Sequence, residues 1–96
     1  MTLASLLDKN RIALRAAAAR CHAANLRVFG SAAKGTEGPG SDIDLLVDPL
    51  PDASLFDLGE LQVELERILG VKVDLLTPGD LPAAMLSKVL AEARPV

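Results

Sequence analysis

The chain reads as an α/β or α+β domain: a small mixed sheet of about three strands with helices packed on it. Three observations carry that expectation. Apolar residues recur at helical spacing in a first, a middle and a last segment, whereas three shorter runs between them are rich in Val, Ile and Leu. Glycines and prolines concentrate between these segments, where the chain must turn. The resulting order, α-β-β-α-β-α, has no internal repeat or low-complexity linker, and 96 residues suffice for one domain with one core, residues 1–96.

The first helix is expected from Thr2 to about Ala24. Leu3, Leu7, Leu14, Ala18 and Cys21 fall on one face, while Asp8, Lys9, Arg11 and Arg15 fall mostly elsewhere. Leu26 to Phe29 then reads as a first strand ending at Gly30. Residues 32–40 contain Gly35, Gly38, Pro39 and Gly40 and read as a loop after about one helical turn. Asp42 to Val47 is a second strand, stopped by Pro49-Leu50-Pro51. Ser54 followed by Asp57 resembles a capping box, Leu58, Leu61, Leu65 and Ile68 form the stripe of a helix, and Gly70 is placed to close it. Val71 to Leu76 reads as a third strand, Thr77-Pro78-Gly79-Asp80 as a turn, and a last helix runs from about Leu81 to Ala93, before Pro95.

Composition narrows the function. A net charge of −3 argues against direct nucleic-acid binding, which relies on Lys and Arg neutralising phosphates, and the chain has no Tyr or Trp to stack on bases. Cys21 is the only cysteine, which excludes an internal disulfide or a multi-cysteine zinc site. Its plain reading is a small residue packed in a helix. His22, the only histidine, reads as a surface helix residue. No apolar segment is long enough to span a bilayer and no signal core follows a basic start, so a cytoplasmic protein is expected.

The chemistry concentrates in two short motifs. Gly30-Ser31 follows an apolar strand and can turn backbone N–H groups toward a phosphate. Ten residues later, Asp42 and Asp44 stand at i and i+2, on one face of a strand, within reach of a shared divalent cation. If the second and third strands are neighbours, Asp74 joins them at one edge. Magnesium is the natural cation, because it prefers oxygen ligands and shares its site with substrate phosphates. Lys34 can add positive charge to a phosphate or to departing diphosphate. Singly, each feature has a bland reading: a common turn, a solvated strand face, a mobile lysine. Together they describe metal-assisted phosphoryl or nucleotidyl transfer.

Val28-Phe29-Gly30-Ser31-Ala32-Ala33-Lys34-Gly35 and Ser41-Asp42-Ile43-Asp44-Leu45-Leu46-Val47 resemble the minimal nucleotidyltransferase family of the DNA polymerase beta-like superfamily. The family hallmark, Gly-Ser, ten residues, Asp-x-Asp, is met at Gly30, Ser31, Asp42 and Asp44, and the later carboxylate matches Asp74. The likeness is close over about residues 26–78. One departure is Lys34, where the family often has Arg; the charge is kept and the bidentate fork is lost. The resemblance implies a polymerase beta-like nucleotidyltransferase fold. It also implies an antitoxin that transfers AMP from ATP to a tyrosine of a HEPN-domain ribonuclease toxin, in a hetero-oligomer with that toxin. In that reading Asp42 and Asp44 hold magnesium, Asp74 holds metal and helps deprotonate the tyrosine, and Gly30, Ser31 and Lys34 bind the nucleotide. The alternatives are a binding antitoxin acting by occlusion, with the last helix (Leu81, Met85, Val89, Leu90) as its interface, or transfer to a small molecule.

Overall fold

The computed structural model describes residues 2–30 and 42–96. The long first helix is two helices, α1 (Leu3–Lys9) and α2 (Arg11–Arg20). The division falls at Asn10, whose φ and ψ of −104° and 13° leave the helical region, and whose side-chain amide donates to the Leu6 carbonyl at 2.9 Å. An asparagine that satisfies a carbonyl of the preceding turn gives the backbone a local alternative to continuing the helix. Thr2 caps α1, its hydroxyl accepting from Ser5 N–H at 3.0 Å.

After α2 the chain turns through His22, at a φ of +56°, into β1 (Ala23–Phe29), which starts three residues earlier than expected. β2 (Ile43–Pro49) pairs antiparallel with it, with a register shift between Ala24 and Arg27 where Asn25 takes a φ of +52°. Such a bulge costs one ladder position and sharpens the local twist. α3 (Leu55–Leu69) starts at a true capping box, with Ser54 N–H donating to the Asp57 carboxylate at 2.9 Å and Asp57 N–H to the Ser54 hydroxyl at 3.2 Å. It stops at Gly70, whose φ of +70° only glycine adopts freely. β3 (Val73–Leu76) then pairs parallel with β2, the crossover geometry that requires an intervening helix. A 3₁₀ turn at Pro78–Asp80 leads to α4 (Ala83–Glu92).

A fourth strand, β4 (Arg94–Pro95), pairs antiparallel with β1, so the mixed sheet has the order β3-β2-β1-β4, one strand more than the sequence suggests. Pro95 lacks a donor and is tolerated there because β4 is an edge; Val96 N–H donates to the Leu26 carbonyl at 3.0 Å. At the opposite edge Glu66, near the end of α3, accepts a 2.9 Å hydrogen bond from Val73 N–H.

Alternation along β2 decides which face is which. Ile43, Leu45 and Val47 enter the main core with Leu14, Ala17 and Ala18 of α2 and Leu61, Leu65 and Leu69 of α3. Asp44 and Asp48 therefore stand on the other face of the sheet, with Leu46 between them. Leu46 and Val89 of α4 are buried outside that main cluster.

Candidate active site

The register of the sheet assembles the site. In the antiparallel ladder Phe29 stands opposite Asp44, so the chain arrives at Gly30 just beyond that carboxylate. In the parallel ladder Asp44 stands opposite Asp74. Two carboxylates from strands separated by a 15-residue helix thus become direct neighbours at one end of the sheet. Gly30 is held at a φ of +70°, and a Cβ there would overlap the Asp44 Oδ2 and lie 3.3 Å from its Cγ. A glycine is needed here twice: for its backbone angle and for the room it leaves to the Asp44 carboxylate.

Asp44 is partly buried, and its carboxyl is pushed above its ordinary value. Loss of water is the main cause, followed by the charge of Asp74, a side-chain hydrogen bond to Asp74, and the charge of Asp42. All three causes beyond burial are the other two carboxylates predicted for the site. Asp42 and Asp74 therefore both act electrostatically on Asp44 in the folded chain. Among the described residues no three His, Cys, Asp or Glu side chains are preset as a metal cage. Asp44 and Asp74 are direct neighbours in the parallel ladder. Ser31 and Lys34 lie outside the described residues.

Asp48, on the same strand and face, shows what a carboxylate with a structural task looks like. Arg27 grips it with two guanidinium nitrogens, at 3.0 and 3.2 Å, and the Asn25 amide donates to it at 2.8 Å. Its carboxyl is lowered, first by the Arg27 hydrogen bonds and then by Asn25. Sequence reading passed over this clamp, since it depends on the bulge at Asn25; the basic-acidic alternation of Arg27 and Asp48 was its one trace. Asp44 has carboxylates where Asp48 has a guanidinium. The last helix is only partly covered: Val89 is buried, whereas Met85 and Leu90 remain about half exposed.

A family model described as the nucleotidyltransferase domain matches residues 13–96. A relative from Methanocaldococcus jannaschii, named as a candidate protein adenylyltransferase, is 41% identical over 66 residues, covering 69% of this chain and 71% of its own. The protein adenylyltransferase MntA of Thermococcus cleftensis is 40% identical over 65 residues, 68% of this chain and 66% of that protein. Among solved structures, a candidate minimal nucleotidyltransferase superposes with a TM-score of 0.90 at 38% identity, covering 100% of this chain and 97% of that one. A toxin–antitoxin crystal structure with AMP-PNP shares the fold, with a TM-score of 0.72 at 23% identity over 92% of this chain and 70% of that one. With Gly30, Asp44 and Asp74 gathered at one end of a sheet of that fold, the chain belongs to the nucleotidyltransferase domain family, among its minimal nucleotidyltransferases, and is an enzyme of nucleotidyl transfer.

Proposed function

We propose that this enzyme is a protein adenylyltransferase antitoxin, which moves AMP from ATP to a tyrosine of a HEPN-domain toxin in the cytoplasm and so silences it. The observation that carries the reading is the partly buried Asp44, pressed against Asp74 and beside Gly30. Relatives named as protein adenylyltransferases, and a neighbour of the same fold solved as a toxin–antitoxin pair with AMP-PNP, support it.

In this reading Gly30 and Ser31 bind the triphosphate through backbone and hydroxyl donors, and Lys34 holds its outer phosphates. Asp42, Asp44 and Asp74 suit a hard divalent cation such as Mg²⁺, because they offer oxygen ligands and an unbalanced negative charge that a cation relieves. When bound, that cation would neutralise charge on the triphosphate and on the departing diphosphate. Asp74, exposed at the strand edge, would take the proton of the incoming tyrosine hydroxyl. The hydroxyl oxygen then bonds to the α-phosphorus, the bond to the β-phosphate oxygen breaks, and diphosphate leaves.

The test incubates the protein and its toxin with ATP labelled at the α-phosphate. Label on the toxin, lost in the Asp42→Ala/Asp44→Ala double variant, supports the reading. Undiminished labelling by that variant would remove these residues from the site. The exposed Met85 and Leu90 of α4 favour a second reading, neutralisation by binding alone. There the double variant would still rescue growth of cells that carry the toxin.

A further inference from the structure

Asp74 stands on the least supported part of the sheet. β3 is four residues long and bonds to β2 alone, so its other margin is open. Asp74 is exposed there and faces Asp44, whose like charge repels it. A short edge strand under that repulsion frays unless something outside the ladder holds it. The register shows where a hold is needed. Val73 pairs with Ile43, and Ile43 N–H donates to the Lys72 carbonyl at 3.0 Å. In a parallel ladder a residue so placed, between the two that bond the neighbouring strand, turns its own N–H outward. That amide donates to the Glu66 carboxylate at 2.9 Å, in a partly buried position, and Asp74 is the next residue along.

Glu66 is itself firmly placed. It lies in the last turn of α3, and Leu65 before it and Leu69 after it are buried in the core. Its carbonyl accepts from Gly70 N–H at 2.8 Å, the bond that closes the helix. Arg20 and Arg67 both pair with Glu64, so neither draws the Glu66 carboxylate away. One residue thus ties the end of α3 by its backbone and the start of β3 by its side chain, across the connection 70–72.

We propose that Glu66 is a positioning residue for nucleotidyl transfer: by holding Val73 N–H it fixes the start of β3, and so the place of Asp74 beside Asp44. The role rests on the proposed placing of Asp74 among the metal-holding residues. Glu66 acts through the backbone of the residue before Asp74, and its bond is charge-assisted, which makes it stronger than a neutral contact. Without it the Val73 amide turns to water, the first rung of the β2–β3 ladder opens, and Asp74 drifts off Asp44. Groups one contact removed from a metal ligand typically govern affinity or activity by about 10–100-fold. Gly30 follows β1, on the other side of β2 from β3, so the hold on the triphosphate there does not depend on Glu66. Loss of the contact therefore lowers kcat and leaves KM for ATP near its parent value.

The experiment compares the parent with Glu66→Ala and Glu66→Gln, both of which keep Leu61, Leu65 and Leu69 in the core. Amide hydrogen exchange followed by NMR reads the contact. Val73 N–H is expected to exchange about tenfold faster in Glu66→Ala, and at the parent rate in Glu66→Gln, whose side-chain oxygen accepts the same bond. Titration with Mn²⁺ in the presence of α,β-methylene-ATP reads the site: affinity is expected to fall about 10–100-fold in Glu66→Ala and to return in Glu66→Gln. Transfer of labelled AMP to the toxin is expected to lose kcat in Glu66→Ala and to recover it in Glu66→Gln. Faster exchange with unchanged Mn²⁺ affinity and kcat overturns the proposal, since Glu66 would then brace the edge alone. Unchanged exchange overturns it too. A parent that binds no Mn²⁺ removes the carboxylates from metal chemistry, and this role with them. A parent whose Mn²⁺ affinity depends on Glu66 yet which leaves the toxin unlabelled upholds the role and overturns the tyrosine acceptor.

Discussion

Gly30→Ala isolates the geometry on which the site depends. The substitution adds one methyl group and leaves every charge in place. At a φ of +70° an L-residue pays roughly 1–2 kcal/mol of backbone strain. The new Cβ also overlaps the Asp44 Oδ2, so the carboxylate must turn away or the strand end must shift. For a chain of this size, each 1 kcal/mol moves the thermal midpoint by about 4–8 °C. Strain alone thus predicts a fall of roughly 5–15 °C in a calorimetric scan. The displaced carboxylate adds a catalytic loss of about a hundredfold in kcat/KM for labelled AMP transfer, the size expected for a misplacement of about 1 Å. Combining Gly30→Ala with Asp44→Ala separates the two effects. Removal of the carboxylate relieves the overlap but not the φ strain, so Gly30→Ala should cost less in the Asp44→Ala background than in the parent. A Gly30→Ala enzyme with unaltered midpoint and turnover, or strict additivity in the double variant, would refute this account of the site.

Asp44→Asn should flatten one part of the pH–stability profile. The folded chain raises this carboxyl, so it holds its proton more tightly than the unfolded chain, and stability declines as pH rises from about 4 through the raised value; denaturant titrations of the two proteins across that interval measure the difference. Asp48→Asn should act in the opposite direction: its carboxyl is lowered, so its contribution is present above pH 4 and is lost as pH falls below it. An acid-unfolding midpoint that is independent of this substitution would dismiss the Arg27 clamp. Gly59→Ala should stabilise the isolated chain by about 0.5–1 kcal/mol, since the helix gains propensity and the methyl meets only open space. Urea titration of the two proteins checks it.

Local signals in the sequence located most of the elements, and long-range pairing supplied what they could not. Ser54, Asp57 and Gly70 mark the ends of α3 because capping is settled within four residues. The break at Asn10 escaped notice because the apolar stripe from Leu3 to Cys21 continues through it; only the side-chain bond to Leu6 reveals the division. Pro95 reads as a terminator, and its strand exists only because β1 is there to pair with. The carboxylate motif was legible from Asp42 and Asp44 alone. The pairing of Asp44 with Asp74 was a condition on strand order, since a parallel register across a helix leaves no local trace. Asp48 carries the complementary lesson: nothing in the spacing separates it from Asp44, yet burial and then Asp74 raise the Asp44 carboxyl, while Arg27 and then Asn25 lower that of Asp48.

The Glu66 contact to Val73 N–H bears on solubility. β3 forms an open margin of the sheet, and an open margin offers unpaired amides to any extended peptide that drifts past. By occupying the first of those amides with an anionic side chain, the last turn of α3 makes strand addition costly where it would begin. Asp74, one residue further on, repeats the charge. A chain that sets carboxylates along this edge strand thereby resists growing into fibrils along it.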